Sequence, residues 1–295
     1  MTKAEVLRQK FKAMIASGNM VTAPGCYDGL TATLISSAGF DCAYMTGAGT
    51  SIAKGYPDFG LMTMTEMVAN AYTIANASQC PVICDADTGY GNELNMTRTV
   101  HEFERAGVAG IHIEDQGFPK KCGHLDDKEI ISLEDYVAKI RAAAAARTDK
   151  NFQIIARTDS RAVLGFEDAV QRGNAALDAG ADIVFLEAPQ TMDELHAVPK
   201  QINGPCLFNY VEGGKTPDID LKTAASMGFA ITILPGYLLR QAILSCEEIL
   251  GELKTSGEPA NRYKHVSVRE MFERFGANEW DQLRVENGPT KQAAE

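Results

Sequence analysis

The sequence is short of positive charge. It sets 28 Lys and Arg against 39 Asp and Glu, a net charge of −11, which argues against a nucleic-acid or anionic-membrane surface. Long apolar runs are also missing: none approaches the ~20 residues a bilayer-spanning helix needs. The opening Met1-Thr-Lys-Ala-Glu-Val-Leu-Arg8 reads as an amphipathic helix without a signal-peptide core. Paired cysteines at metal-binding spacing are absent. Cys26, Cys42, Cys80, Cys84, Cys122, Cys206 and Cys246 form an odd, scattered set, several of them inside apolar runs where cysteine acts as a small hydrophobe. The expectation is a reduced, cytoplasmic protein. No repeat or linker divides the chain, and 45% hydrophobic content over 295 residues is enough for one large core.

What is present is an alternation. Apolar strands are expected at 20–23, 41–46, 81–85, 108–113, 152–156, 182–186, 205–208 and 229–234. Helices are expected at 27–38, 65–76 (capped by Thr65), 94–106, from Ser132 onward, 165–179, 191–200, 218–227 and 237–253. Continuous apolar strands are buried on both faces. Eight such βα units in roughly 250 residues predict a (β/α)₈ TIM barrel. A doubly wound sheet would carry a Gly-rich dinucleotide turn after its first strand, where this chain has Pro24-Gly-Cys-Tyr-Asp28. The prediction is one barrel domain over 1–295 with a helical C-terminal extension at about 255–295, its helix at 261–284. The helix at 237–253 is apolar on more than one face (Leu238, Leu239, Ala242, Ile243, Ile249, Leu250), so it is expected to be buried all round, at an interface of a homo-oligomer.

In such a barrel the site lies at the C-terminal ends of the strands. Those ends deliver Tyr44, Thr46, Gly47 and Ala48, then Asp85 and Asp87, Glu114, Arg157 and Asp159, Glu187 and Asn209. Asp85-Ala-Asp87 sets two carboxylates on one side of an extended segment, and with Glu114 they form a hard oxygen cluster suited to Mg²⁺, or Mn²⁺. No base stands beside them in sequence. Arg157 suits a carboxylate, from Glu187 or from a substrate, and the Thr46–Ala48 amides would form a small anion-binding nest. Asp58 sits in a rim loop after Gly55-Tyr-Pro57, where a turn residue and a site residue look alike.

One loop stands out, Lys120-Lys-Cys-Gly-His124. Positive neighbours favour a thiolate, although a solvated charge cluster with an incidental cysteine would give the same string. These stretches together resemble the isocitrate lyase/phosphoenolpyruvate mutase superfamily. The resemblance runs over residues 5–250 and rests on Met45-Thr-Gly-Ala-Gly-Thr50, Gly55-Tyr-Pro-Asp58, Asp85-Ala-Asp-Thr-Gly-Tyr-Gly91 and His112-Ile-Glu-Asp-Gln116. Lys120-Lys-Cys-Gly-His124, Ala156-Arg-Thr-Asp159 and Phe185-Leu-Glu187 complete it.

The resemblance implies a Mg²⁺-dependent barrel acting on small carboxylates, and a homotetramer whose neighbours exchange their eighth helices. It implies Asp85 as direct metal ligand, with Asp87 and Glu114 acting through metal-bound water. Thr46, Gly47, Ala48, Gly123, Arg157, Glu187 and Asn209 match substrate-binding positions, and Cys122 matches the cysteine of the lyase branch. The chemistry then expected is retro-aldol cleavage of a 2-hydroxy di- or tricarboxylate, of 2-methylisocitrate or substituted-malate type. Cys122 would protonate the departing fragment, Lys121 and His124 would set its pKa, Tyr44 would partner the hydroxyl, and Gly117 and Gly123 would let the loop close. Arg240 and Arg269 match positions used for an extra carboxylate, and Arg240 could equally be an interface residue. The alternatives are an oxaloacetate hydrolase or decarboxylase, a carboxyphosphonoenolpyruvate-type phosphonomutase, or a non-catalytic oxo-acid-binding protein.

Overall fold

The computed structural model describes residues 1–125 and 127–288. Eight parallel strands close into a barrel in chain order: β1 Val21–Cys26, β2 Ala43–Met45, β3 Val82–Asp85, β4 Gly110–Glu114, β5 Gln153–Thr158, β6 Ile183–Leu186, β7 Cys206–Asn209 and β8 Ile231–Leu234. The seam closes where Val21 to Pro24 pair with Ile231 to Leu234. The helices are α1 Lys3–Ala16, α2 Gly29–Ser37, α3 Gly47–Ala53, α4 Met64–Ala77, α5 Glu93–Arg105, α6 Leu133–Ala146, α7 Phe166–Asp178, α8 Met192–Gln201, α9 Leu221–Met227, α10 Tyr237–Ser256, α11 Val268–Glu273 and α12 Ala277–Asn287. This is the (β/α)₈ TIM barrel the alternation predicts. Among the described residues no helix is long and apolar enough to cross a membrane.

Two starts differ from expectation, for local reasons. α4 is capped by Thr63, not Thr65, because Glu66 stands at the third helical position and returns its carboxylate to the Thr63 N–H at 2.9 Å. The segment expected as an open nest after β2 is the first turn of α3, where the Thr46 hydroxyl accepts the Gly49 N–H at 3.2 Å.

The chain divides into two compact units, Met1–Gln241 and Ala242–Glu295. The first holds the barrel. The second holds most of α10, a short 3₁₀ turn at Asn261–Tyr263, α11 and α12; the end of the expected extension, 289–295, lies outside the described residues. Of the α10 side chains only Leu239 is buried, while Ile243, Leu244, Leu250 and Leu253 are exposed. The helix expected to be buried all round is therefore largely bare in the single chain.

Strand periodicity sorts the barrel into two shells. Outward residues such as Val82, Cys84, Ile111, Ile113, Val184 and Phe208 pack under the helices. Inward residues Val21, Ala23, Tyr44, Ile83, Ile155, Ile183, Phe185, Leu207, Ile231 and Ile233 fill the centre together with Phe11 of α1. α1 lies across the N-terminal mouth. Its Arg8 donates to the Val108 carbonyl at 2.9 Å, and its Lys12 to that of Lys150 at 2.9 Å, both just ahead of strands. Phe11, fully buried, is thus the closure of the barrel floor. Phe11→Ala should cost about 3–5 kcal/mol, read as a lowered urea midpoint with unchanged far-UV circular dichroism.

Candidate active site

One step further along each inward row, apolar residues give way to polar ones. Tyr44 is followed two residues on by Thr46, Ile83 by Asp85, His112 by Glu114, Ile155 by Arg157, Phe185 by Glu187 and Leu207 by Asn209. The same pleat that aims hydrophobes at the core therefore aims these groups into the C-terminal mouth. Here Thr46, Asp85, Arg157, Glu187 and Asn209 line a cavity of about 160 Å³ together with Tyr44, Ala48, Asp58, Cys122, Gly123, His124, Val211, Pro235 and Leu239, and Glu114 lies fully buried beside Arg157.

Arg157 is the centre of the charge pattern. Its guanidinium donates to both Asp159 oxygens at 3.0 and 3.2 Å and lies 3.3 Å from Glu114 and 3.7 Å from Glu187. It also covers the Phe185 ring at 5.0 Å. From behind, the Tyr136 hydroxyl donates to the Arg157 carbonyl at 2.7 Å. Asn209 donates to both Glu187 oxygens at 3.2 Å. Burial pushes Glu187 up, but Arg157 and the His124 and Asn209 contacts outweigh it and hold the carboxyl at about 2.

Asp85, Asp87 and Glu114 come together as expected, but not without a base. The Lys120 ammonium, 3% exposed, reaches between them, 2.8 Å from Asp87 and 2.7 Å from Asp58. Burial alone would lower its pKa; Asp87, Glu114, Asp85 and Asp58 more than reverse that and keep it charged. Asp85 is pushed up by burial and pulled further down by His112, Lys120 and Arg157, to about 2. Burial, opposed by Lys120 and reinforced by Asp85, raises Asp87 to about 6. Glu114 is fully buried, and among the described residues neither of its oxygens has a hydrogen-bond donor. Among the described residues no ready-made metal-ligand group appears. Even so, Asp58, Asp85, Asp87, Glu114, Asp159 and Glu187 outnumber Lys120 and Arg157, and two orphaned carboxylate oxygens fit a hydrated cation.

Asp87 (φ 48°), Tyr90 (φ 61°) and Ala188 (φ 53°), at the ends of β3 and β6, adopt left-handed backbone although none is glycine. Asp87 is held there by its N–H donating to Asp85 Oδ1 at 2.9 Å. Gly47 must be glycine for a different reason. A Cβ there would stand 2.4 Å from Asp85 Oδ2.

Beneath the acids, Tyr44 and His112 share a 2.8 Å hydrogen bond, and His112 Nε2 is 3.6 Å from Asp85. Burial lowers the His112 pKa to about 4, so the ring is neutral. His112 escaped the sequence reading although it shares the inward row of Glu114; the period-two spacing was the available signal.

The loop with Cys122 roofs the cavity. Gln116 grips the Lys121 backbone from both sides, at 2.8 and 2.9 Å, and Lys128 donates to the Gly123 and Leu125 carbonyls. A Cβ on Gly123 would meet Glu187 at 2.4 Å and Arg157 at 2.5 Å. His124 accepts the Lys215 N–H at Nδ1 (3.1 Å), which leaves its proton on Nε2, 3.2 Å from Glu187. The expectation that lysines tune the thiol is corrected. Lys120 turns inward to the acids and Lys121 turns to the Asp127 carbonyl at 3.1 Å. Burial chiefly raises the Cys122 pKa; the backbone N–H of His124 lowers it, while Asp58 and Glu187 raise it further. The group is a thiol.

Arg240 turns away from the cavity, donating to the Glu212 carbonyl at 2.7 Å. Arg269 lies in the second unit, paired with Glu273 at 2.9 Å and Asp281 at 2.8 Å.

An acid-lined cavity at the C-terminal mouth of a (β/α)₈ barrel, with a buried arginine and a thiol overhead, defines an enzyme class that handles small anionic substrates. Residues 11–254 match the family model for phosphoenolpyruvate phosphomutase. The chain is 48% identical over 252 residues to the 2,3-dimethylmalate lyase of Eubacterium barkeri (85% of this chain, 87% of that one). It is 39% identical over 276 residues to the 2-methylisocitrate lyase of Aeropyrum pernix (93% and 89%). A crystal structure of 2,3-dimethylmalate lyase superposes with a TM-score of 0.92 at 40% identity, covering 99% of this chain and 97% of the other. The chain belongs to the phosphoenolpyruvate mutase/isocitrate lyase superfamily.

Two outcomes test the roof. Gly123→Ala should lower turnover by about 10²-fold through displacement of the loop, with secondary structure intact by circular dichroism. Alkylation of Cys122 by iodoacetamide, followed by peptide mass spectrometry, should keep accelerating above pH ~8.5, the ordinary thiol midpoint; a plateau near neutrality would mean a thiolate.

Proposed function

We propose that this protein is a carbon–carbon lyase that cleaves a 2-hydroxy dicarboxylate into an α-oxo acid and a second carboxylate. The single observation that carries the reading is the Cys122 thiol on the same small cavity as Arg157, Asp85 and Glu187, where burial raises its pKa and favours the protonated form. Cleaving the C2–C3 bond of such a substrate leaves the electron pair on C3, and a proton must then be delivered to that carbon. A buried thiol is suited to this. Arg157 and the first-turn amides of α3 would hold the oxo-acid carboxylate. Tyr44 would take the proton of the 2-hydroxyl while passing its own phenol proton to His112 Nε2, 2.8 Å away. His124 and Asn209 keep Glu187 ionised beside Arg157, and closure of the 115–131 loop excludes water.

Mg²⁺ is the cofactor the donor set fits best: hard oxygen ligands, an excess of carboxylate and two orphaned Glu114 oxygens. Asp85, Asp87 and Glu114 would hold it, the last two through water, and when bound it would polarise the oxo-acid oxygens. Removing it with EDTA should abolish turnover, with recovery on adding Mg²⁺ or Mn²⁺.

The cavity lining includes the apolar Val211, Pro235 and Leu239, and Arg240 is not part of it. That favours an alkyl-substituted malate over a tricarboxylate, whose third charge would find no lining cation besides Arg157 among the described residues. The names of the relatives include both kinds of lyase. Assayed on a panel of 2-hydroxy di- and tricarboxylates, the enzyme should release pyruvate from substituted malates. Cys122→Ser should lose about 10²- to 10⁴-fold in kcat with oxo-acid binding nearly unchanged. Near-normal cleavage by the serine enzyme would favour the hydrolase, decarboxylase or mutase readings.

The assembly reading follows from bare apolar surface. A groove of about 570 Å³ in the first unit is lined by Leu34, Ile35, Phe40, Leu234 and Leu238 among others, and α10 exposes Ile243, Leu244 and Leu250. A homotetramer in which such helices are buried between copies would cover both. A monomer in sedimentation at micromolar concentration would contradict this.

A further inference from the structure

Asp115 and Arg172 are buried, charged and outside the cavity. Asp115 follows Glu114 directly and is fully enclosed. Its carboxylate accepts three hydrogen bonds: from the Thr158 hydroxyl at 2.7 Å, the Asp159 N–H at 2.8 Å and Arg172 at 3.2 Å. Asp159 is the residue whose carboxylate grips Arg157. Arg172 rises from α7, is anchored by Asp168 at 2.7 Å, and shares its Nη1 between Asp115 and the Ile131 carbonyl at 3.0 Å. The Ile131 N–H returns to the Asp115 carbonyl at 2.9 Å. Residues 115 and 131 are the two feet of the roof loop, so one guanidinium ties both feet to the end of β5.

A buried ion pair is a poor device for stability alone, since apolar residues of similar volume often serve as well. Apolar residues cannot fix an N–H and a carbonyl in place. We propose that Asp115 and Arg172 are positioning residues with two arms: one sets Asp159 and thereby Arg157, and the other holds the loop that carries Cys122. The first arm rests on the reading of Arg157 as the carboxylate-binding arginine; the second does not.

The test uses the full chain, in its native assembly, as Arg172→Gln and Arg172→Lys. Two readouts are taken beside melting temperature and circular dichroism: oxalate binding with Mg²⁺ by calorimetry, and the metal-free rate of iodoacetamide alkylation at Cys122. Arg172→Gln loses both arms. It should weaken oxalate about 10- to 100-fold, the range for groups that orient a ligand-binding residue, and raise the alkylation rate severalfold. Lysine keeps a positive charge near Asp115, but its nitrogen stops one bond short of the Nη1 position and loses the directed hydrogen bond to the neutral Ile131 carbonyl. Arg172→Lys should therefore recover most oxalate affinity while leaving Cys122 over-reactive, a split that a general packing defect does not produce. If the glutamine variant fails to fold, that split in the lysine variant decides. Folded variants with wild-type affinity and wild-type alkylation would overturn the proposal, as would losses that merely track melting temperature in both. Wild-type protein that does not bind oxalate would overturn the reading of Arg157 instead, and the alkylation rates alone would then judge the loop arm.

Discussion

The arrangement at the barrel mouth depends on one enclosed cation. Arg157 stands on an inward row whose lower members are apolar, so its guanidinium emerges where water is already excluded. An unpaired charge there would be prohibitive, and the neighbouring strand ends answer it with Asp159, Glu114 and Glu187. Distance to it does not decide their charge: Glu187, which also has His124 and Asn209 beside it, is held down, while Glu114, though nearer Arg157, is driven up by burial. The centre is therefore built as a set.

Lys120 plays the complementary part from the roof. It belongs to the loop, yet its ammonium lies among carboxylates supplied by β3 and by the 54–62 rim segment. Loop closure and charge balance are thus one event. A loop of this length has little apolar surface of its own to hold it down, and a buried ion pair against an acid-rich floor supplies the missing attraction. Phe118, the aromatic side chain of this loop, is 73% exposed and contributes little to holding it down.

How much of this could be read from residues alone follows from periodicity. The barrel and its polar upper row are both consequences of period-two strands, so Asp85, Glu114, Arg157, Glu187 and Asn209 were identifiable from position. His112 obeyed the same rule and was passed over. Lys120 and Lys121 are a different matter. They are adjacent in a loop, where no period assigns direction, and only the three-dimensional path sends one inward and the other to solvent. The shift of the α4 cap from Thr65 to Thr63 turned on a reciprocal bond from Glu66. Burial, not the charge of the residues adjacent in sequence, decides the thiol's pKa.

The cavity has three unlike walls: charged groups on the floor, Val211, Pro235 and Leu239 to one side, and a thiol overhead. Such an enclosure has no mirror plane. A small molecule pinned by its carboxylate to the floor and by its alkyl groups to the side presents only one face to the thiol. A proton delivered from above then creates a new C–H bond of a single handedness wherever the receiving carbon carries distinct substituents. The pocket that selects the substrate by charge and shape would in the same act dictate the stereochemistry of what leaves it.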